Sequence, residues 1–373
     1  MKKYTRGILG FTTARFAAAP TASSAAAAAS GHAGCQKQGG GGGGETGGGG
    51  QTEGKIAFLM PDRASTRYEQ QDSPLFKAKV MELCSGCEVL YQNADGNADK
   101  QQQQANAMIT QGVKVLVLDA VDSTAAASLV NTAKSQGIKV VTYDRPVPDT
   151  PADFYVSFDN KKIGNLIATD LVEKLDSEGD KTGGVLMVNG SPTDRAAQLI
   201  KEGAQEAVNA SDHKVLASYD TPEWQPSKAQ DWVAGQITQF GDDITGIVAA
   251  NDGTAGGSIA ALKAAGVSPI PPVTGNDAEI AAIQRIISGD QYNTISKPIK
   301  IVAEKAAEVS VQLLNGETPE PDATLFDTPS ALFVPTVVTK ENVKEVIFDG
   351  GIYKPEEVCT GEYKSGCDEL GIQ

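Results

Sequence analysis

Short apolar runs recur along the chain and alternate with segments whose apolar residues follow a helical period. The runs lack polar residues at alternate positions, which indicates strands that are buried on both faces. By contrast, the segment 163–175 places its apolar residues on one face of a 3.6-residue repeat, as a helix does. Strands of this kind form parallel sheets covered by helices, so the sequence predicts an α/β fold. The apolar runs lie at 56–60, 115–118, 138–142, 185–188, 247–250 and 272–274.

The length and charge of the chain limit its domain number and its partners. Its 373 residues exceed one typical globular domain, and about two domains are expected. The 47 acidic side chains outnumber the 32 basic ones, and the formal net charge of −15 would repel a nucleic-acid backbone. No apolar stretch approaches the roughly 20 residues that span a bilayer. We therefore expect a soluble, monomeric mature protein that does not bind nucleic acid.

The start of the chain has the pattern of an export signal. Basic residues near the N-terminus precede an apolar stretch at 7–11 and an Ala-rich run that leads to Cys35. This order resembles a bacterial lipoprotein signal, although His32 stands where a leucine is usual. We interpret residues 1–35 as a lipoprotein leader that anchors the protein to the membrane through Cys35, and residues 36–53 as a Gly-rich flexible linker. A leader with a chance cysteine remains the alternative.

Four further cysteines are candidates for disulfide bonds, because they form an even number in a chain that is predicted to be exported. Cys84 and Cys87 have the spacing of a redox motif, but a thioredoxin-like context is missing, so a structural bridge is the better interpretation. Cys359 and Cys367 flank a short polar loop near the C-terminus, where a bridge would act as a staple. The connectivity stays open at this point.

Polar side chains follow nearly every predicted strand. In a parallel sheet the ligand lies outside the carboxyl ends of the strands, so these side chains would meet at one edge. Any one of them could instead begin a turn or cap the next helix. Six positions together, one of which includes an arginine, favour a polar site. They are Asp62, Asp119, Asp144 with Arg145, Asn189, Asn251 with Asp252, and Asn276 with Asp277.

The residues offer little for catalysis. His213 is the one histidine outside the leader, and it lies in an apparent polar turn where a solvated side chain is expected. A Ser-His-Asp triad or a histidine-rich zinc site is therefore not predicted. The chain also lacks a Gly-x-x-x-x-Gly-Lys-Ser/Thr loop and a Gly-x-Gly-x-x-Gly helix start. We expect no catalytic residue, no metal and no cofactor.

The remaining candidates suit a sugar. A hydroxyl group both donates and accepts, so a buried sugar site needs carboxylates and amides together with Arg or Lys. The C–H faces of the ring favour contact with aromatic rings. Trp224 lies between two prolines in a loop with little local core to join. The candidate set is Arg67, Tyr68, Asp144, Arg145, Trp224, Asn251, Asp252, Asp277 and Lys297.

Several longer motifs resemble those of the periplasmic sugar-binding proteins of ABC importers with the type I fold, and within them the xylose binders. The similarity runs from about 55 to about 349. The motifs are Gly-Val-Lys-Val-Leu-Val-Leu at 112–118, Tyr-Asp-Arg at 143–145, Phe-Tyr-Val-Ser-Phe-Asp-Asn at 154–160, Ala-Asn-Asp-Gly-Thr-Ala-Gly-Gly at 250–257, Gly-Asn-Asp-Ala at 275–278 and Lys-Pro-Ile at 297–299.

The resemblance implies a role for each candidate. Arg67, Arg145, Asp144, Asn251, Asp252, Asp277 and Lys297 would contact sugar oxygens, Asp194 would join them, and Trp224 would stack on the pyranose. This chain departs from the xylose binders in two places. Arg195 and Ala196 stand where those proteins carry asparagines, and Tyr68 replaces a tryptophan. The departures bear on which sugar fits.

The resemblance also implies two doubly wound parallel-sheet lobes joined by a three-segment hinge. The first lobe would comprise residues 54–158 and 279–320, and the second 159–278 and 321–373. A monosaccharide between them would favour closure, and the closed form would deliver the sugar to the permease of an ABC importer.

The same fold is compatible with other functions. The closed form could signal to a membrane receptor instead of feeding a permease. A regulator of the lactose-repressor type would need an N-terminal DNA-binding motif, for which residues 1–54 have no periodic apolar face. An exported sugar-modifying enzyme with paired carboxylates would turn over a glycoside.

Overall fold

The computed structural model describes residues 53–179 and 183–373. The leader, Cys35 and the Gly-rich linker up to residue 52 lie outside the described residues. The strands are β1 (Glu53–Met60), β2 (Gly86–Asn93), β3 (Val115–Leu118), β4 (Lys139–Tyr143), β5 (Phe154–Phe158), β6 (Gly184–Asn189), β7 (Lys214–Asp220), β8 (Ile244–Ala249), β9 (Asn293–Ser296), β10 (Ala323–Leu325), β11 (Thr328–Phe333) and β12 (Thr336–Thr339). The helices are α1 (Ser73–Leu83), α2 (Ala98–Thr110), α3 (Ala126–Ser135), α4 (Asn160–Glu178), α5 (Arg195–Asn209), α6 (Pro226–Phe240), α7 (Asp252–Ala264), α8 (Ile280–Ser288), α9 (Ile299–Leu314), α10 (Pro355–Val358) and α11 (Lys364–Glu369).

The strands form two main sheets. The first has the order β10-β11-β5-β4-β3-β1-β2, and all its neighbours are parallel except β10 and β11. The second has the parallel order β7-β6-β8, and Val273 extends it by bridging to Ile247. β9 and β12 form a separate antiparallel pair. The predicted α/β class is confirmed, with the run at 272–274 forming a bridge instead of a full strand.

Burial explains why the apolar runs do not alternate. Every residue of β3, β5, β6 and β8 is buried, because helices cover both faces of the sheets. The predicted helical segment lies in α4, whose apolar face is buried and whose N-terminus is capped by the Asp159 side chain. None of the helices in the described ranges is long and apolar enough to cross a bilayer.

The sheets divide the chain differently from the predicted lobes. β10 and β11 lie in the first sheet, where Ser330 pairs with Tyr155, although residues 321–373 were expected in the second lobe. α8 and β9 lie on the other side, since Tyr292 donates to the carbonyl of Val273 and β9 pairs with β12. The chain therefore passes between the sheets near 159, 298 and 334.

Two smaller expectations concern cysteine and histidine. The sulfur of Cys84 pairs with that of Cys87, and the sulfur of Cys359 pairs with that of Cys367, which gives the connectivity left open by the sequence.

The expectation of a solvated His213 is wrong. Its side chain is buried, with Nε2 3.2 Å from Oδ1 of Asp176 at the end of α4.

Candidate ligand-binding site

A small cavity lies where the carboxyl ends of strands from the two main sheets face each other. Every predicted ligand residue except Asp252 lines it. Those residues are Arg67, Tyr68, Asp144, Arg145, Asp194, Trp224, Asn251, Asp277 and Lys297, and the lining also includes Ser65, Asn160, Ala196, Ile200 and Asn276.

Arg67 lies at the centre of a buried charge cluster. Its Nη2 is 2.8 Å from Oδ2 of Asp144 and 3.6 Å from Oδ1 of Asp72, and its Nη1 is 3.9 Å from Oδ1 of Asp277. Lys297 approaches Asp277 from another strand end, with Nζ 2.6 Å from Oδ1. Burial by itself raises the pKa of Asp144, but Arg67 and Lys297 outweigh it and hold that pKa below its ordinary value. Asp144 is therefore an ionised acceptor at neutral pH.

Some buried polar atoms of the lining have no hydrogen-bond partner. Nη1 of Arg67 makes no hydrogen bond and lies 3.9 Å from Oδ1 of Asp277, and Oδ1 of Asn276 also has no hydrogen-bond partner. Buried donors and acceptors cost free energy when they are left unpaired, typically about 1–3 kcal/mol each. Their position on the cavity wall identifies them as groups that are available to a polar ligand.

Arg145 joins both sides of the cavity. Its Nη2 donates to Oδ2 of Asp62 at 2.7 Å, and its Nε lies 3.1 Å from Oδ2 of Asp194, the residue before α5. Its Nε is also 3.5 Å from Asp119, which is fully buried. Burial raises the pKa of Asp119 well above its ordinary value, although Arg145 opposes the rise. Arg145 thus links the ends of β1 and β4 to the N-terminus of α5.

Trp224 is fixed in place by two contacts. Its Nε1 donates to Oδ2 of Asp194 at 3.0 Å, and its six-membered ring lies against Gly190 so closely that a Cβ there would be 2.1 Å from Cη2. Only glycine allows this approach. The aromatic ring therefore has a defined position on the cavity wall.

Three of the lining residues have left-handed backbone angles that non-glycine residues rarely adopt. The φ angles are 57° at Asp144, 56° at Trp224 and 107° at Asp277. Such conformations cost about 1–3 kcal/mol each and concentrate at functional sites. These backbone angles support the assignment of this cavity as the ligand-binding site, and no sequence pattern predicts them.

Asp252 occupies a different position from the one expected. It lies behind the cavity wall, where its oxygens accept hydrogen bonds from Nε2 of Gln291, Oγ1 of Thr294 and the backbone N–H of Glu279. Burial, with the charges of Glu279 and Asp277 adding to it, raises the pKa of Asp252 to about 8. Asp252 therefore lies outside the lining, and its hydrogen bonds hold the loop that carries Asp277.

Further hydrogen bonds join the two sides outside the cavity. The backbone N–H of Ser123 donates to the carbonyl of Thr193 at 3.0 Å, and its Oγ accepts from the N–H of Arg195 at 3.1 Å. Both N–H and Oγ1 of Thr66 donate to Oε1 of Glu279 at 3.2 Å. These contacts describe a closed arrangement of the two sheets.

Asn276 was already noted among the strand-end residues, and the sequence missed four other lining residues. Asn160 follows β5. Ser65 lies in a loop without any distinguishing pattern. Ala196 and Ile200 lie on the buried face of α5 and cannot be told from core residues by periodicity.

Comparison with known proteins agrees with the fold. The model of the family described as "Periplasmic binding protein domain" matches residues 56–318. The chain is 37% identical over 314 residues to the D-xylose-binding periplasmic protein of Escherichia coli (strain K12), covering 82% of this chain and 93% of that protein. It is 29% identical to a multiple sugar-binding periplasmic receptor of Rhizobium radiobacter, with coverages of 82% and 92%.

Solved structures lead to the same family. An ABC transporter solute-binding protein from Clostridium phytofermentans with bound β-D-glucose superposes with a TM-score of 0.74 at 27% identity. The match covers 82% of this chain and 99% of that one. The family model spans most of the chain, and the Escherichia coli relative matches over nearly its whole length. The chain belongs to the periplasmic binding protein family.

Proposed function

We propose that this protein binds one monosaccharide, with D-xylose as the first candidate, and delivers it to the membrane permease of an ABC importer. The observation that carries the proposal is the polar lining of the cavity, in which the buried Nη1 of Arg67 and the buried Oδ1 of Asn276 have no hydrogen-bond partner. A sugar hydroxyl is both donor and acceptor, so a single ligand class satisfies both kinds of group.

The rest of the lining fits a pyranose. Trp224 offers an aromatic ring to a C–H face of the sugar, while Asp144, Asp277 and Lys297 offer charged partners to its hydroxyls. The ring of Tyr68 also lines the cavity and lies under the guanidinium groups of Arg67 and Arg145. Asn251 lines the cavity, but its Oδ1 already accepts from the N–H of Thr254 at the start of α7, so its amide group faces the ligand. The cavity is small and enclosed by residues from both sheets, which favours one sugar unit over an oligosaccharide.

Arg145 and Asp194 act mainly by joining the two lobes. Four donor contacts of Arg145 already go to Asp62, Asp194, Tyr68 and the carbonyl of Ala120. Asp194 already accepts from Trp224 and from the N–H of Ala196. We propose that the sugar completes this bridge, because contacts from both lobes favour the closed form. The lobes are the two main sheets with their helices, connected by the three crossings near 159, 298 and 334.

The named relatives guide the choice of ligand and partner. They are binding proteins, not enzymes, and the Escherichia coli relative is a D-xylose binder, which supports xylose as the first candidate. The solved structure with glucose keeps hexoses in the panel to be tested. Delivery to a permease follows from the description of that structure as an ABC transporter solute-binding protein.

Export and anchoring extend the proposal to the N-terminus. Residues 1–35 would direct export, and Cys35 would carry a lipid that holds the protein at the outer face of the membrane. The Gly-rich linker would give the receptor freedom to reach its permease. We propose that both disulfides form in the exported, monomeric protein. Mass spectrometry of the mature protein, with and without reduction, tests the lipid and the bridges.

A thermal-shift screen over monosaccharides tests the binding function. A ligand at one hundred times its dissociation constant stabilises the folded state by about 2.7 kcal/mol, which raises the melting temperature by several degrees. We expect D-xylose to give a clear shift and amino acids or nucleosides to give none. A panel in which no monosaccharide shifts the melting temperature would contradict the function.

A further inference from the structure

One side of the cavity has an apolar surface amid a polar lining. Ala196 and Ile200 are four residues apart on α5, so both lie on the same face of the helix. Their side chains carry no donor or acceptor, and both residues are buried, at 5% and 3% exposure. We call this surface the α5 wall. A ligand atom that meets it finds only methyl and methylene groups.

The backbone next to the α5 wall is also occupied. At a helix start the first N–H groups are free to bind a ligand. Here the N–H of Arg195 donates to Oγ of Ser123 at 3.1 Å, and the N–H of Ala196 donates to Oδ1 of Asp194 at 2.8 Å. These two groups are therefore not available to a sugar hydroxyl near Ala196.

The α5 wall cannot retreat from the ligand. α5 packs against α4 so closely that a Cβ at Gly164 would lie 1.8 Å from the carbonyl oxygen of Ile200. The backbones of the two helices are in direct contact at this point. A hydroxyl that contacts the wall therefore cannot gain a partner by a shift of the helix.

The other lining groups determine which part of a sugar meets the wall. The ring of Trp224 suits one face of a pyranose ring. Arg67, Asp277 and Lys297 form a polar cluster that suits the ring hydroxyls. The α5 wall is then left for an edge of the ring that carries no hydroxyl.

We propose that the α5 wall selects sugars whose ring edge at this position ends in a methylene or a methyl group instead of a hydroxymethyl group. The substrate class is pentopyranoses and 6-deoxyhexopyranoses, and hexoses bind more weakly. This inference rests on the proposed function and narrows it. The cost of burying an unpaired hydroxyl corresponds to at least about a tenfold loss of affinity.

Calorimetric titration with two matched sugar series tests the selection. D-glucose, 6-deoxy-D-glucose and D-xylose differ only in the substituent on one ring carbon, and so do D-galactose, D-fucose and L-arabinose. In the series that binds, we expect the 6-deoxy sugar and the pentose each to bind at least about tenfold more tightly than the hexose. A hexose that binds within about twofold of its 6-deoxy partner overturns the inference and leaves the sugar-binding function intact.

A variant ties the selection to the wall. Ala196→Ser adds a hydroxyl at the wall with little added volume, and we expect it to reduce the preference for the 6-deoxy sugar over the hexose at least about threefold. The same substitution at the exposed end of α5, Ala210→Ser, should leave the ratio unchanged. An unchanged ratio in Ala196→Ser overturns the assignment to the wall. Failure of all six sugars to bind overturns the proposed function and the inference together.

Discussion

Replacing Gly190 with alanine should displace Trp224 and weaken sugar binding. The added Cβ would lie 2.1 Å from Cη2, 2.2 Å from Cζ2 and 2.5 Å from Cζ3 of the ring. Ordinary contacts between carbon atoms are about 3.5–4.0 Å, so the ring must move by more than about 1 Å. The ring cannot move freely, because its Nε1 is bonded to Asp194 at 3.0 Å.

The size of the effect follows from what the movement disrupts. Overpacking of this kind typically costs about 1–3 kcal/mol, and a hydrogen bond to a charged group contributes about 1.5–3 kcal/mol. A displaced Trp224 also no longer lies flat against the sugar, which costs about 0.5–1.5 kcal/mol more. The first two costs fall on the folded protein with or without sugar, so only the lost contact with the ring weakens binding, and we expect calorimetry to show the affinity of Gly190→Ala reduced about 2- to 12-fold.

Gly235 provides a matched control. It is an exposed residue inside α6, and a Cβ added there meets no atom within 4 Å. Gly235→Ala should raise the free energy of unfolding by about 0.5–1 kcal/mol and leave the affinity unchanged. Circular dichroism shows whether each variant is folded. If folded Gly190→Ala binds with the affinity of the original protein, the proposed position of the sugar against Trp224 is refuted.

Two further predictions concern groups outside the lining. Burial raises the pKa of Asp252 to about 8 in the folded state. The unfolded state loses this proton above about pH 4, whereas the folded state keeps it up to about pH 8. The free energy of unfolding should therefore fall as the pH rises from about 4 to about 8. Urea unfolding from pH 5 to pH 8 should show this decline, and Asp252→Asn should flatten it; an unchanged slope would contradict the assignment. Glu279→Ala removes the contact with Thr66 and should weaken sugar binding about two- to tenfold, because it destabilises the closed form. Adding Thr66→Ala should then cause little further loss of affinity, and fully additive losses would show that the two residues do not act as a pair.

The sequence predicted the fold class and the place of the site for one physical reason. Parallel strands that are buried on both faces deliver the residues after them to a common edge, as Asp144 and Asn251 illustrate. The roles within the site could not be derived in this way. Asp252 follows a strand like its neighbours, yet its side chain turns behind the wall to Gln291 and Thr294. Only the three-dimensional arrangement separates these cases.

Contacts between segments that are distant in sequence were the second feature that the sequence could not predict. The pairing of Arg145 with Asp62 and Asp194 joins residues that are far apart in sequence, and no local pattern marks it. The lobe boundaries differed because strand order, not sequence order, assigns β11 to the first sheet. The left-handed backbone at Asp277 likewise depends on the loop being held from outside.

Fluorescence of Trp224 tests most directly the central claim that a sugar binds in this cavity. The chain has two tryptophans, and Trp232→Phe leaves Trp224 as the single reporter; Trp232 lies in α6, stacked on Tyr219 at a centroid distance of 5.2 Å. Titration of this variant with D-xylose should give a saturable change in emission, with the dissociation constant that calorimetry gives for the same protein. A sugar that binds by calorimetry without changing the emission of Trp224, or an emission unaffected by any monosaccharide, would contradict the account.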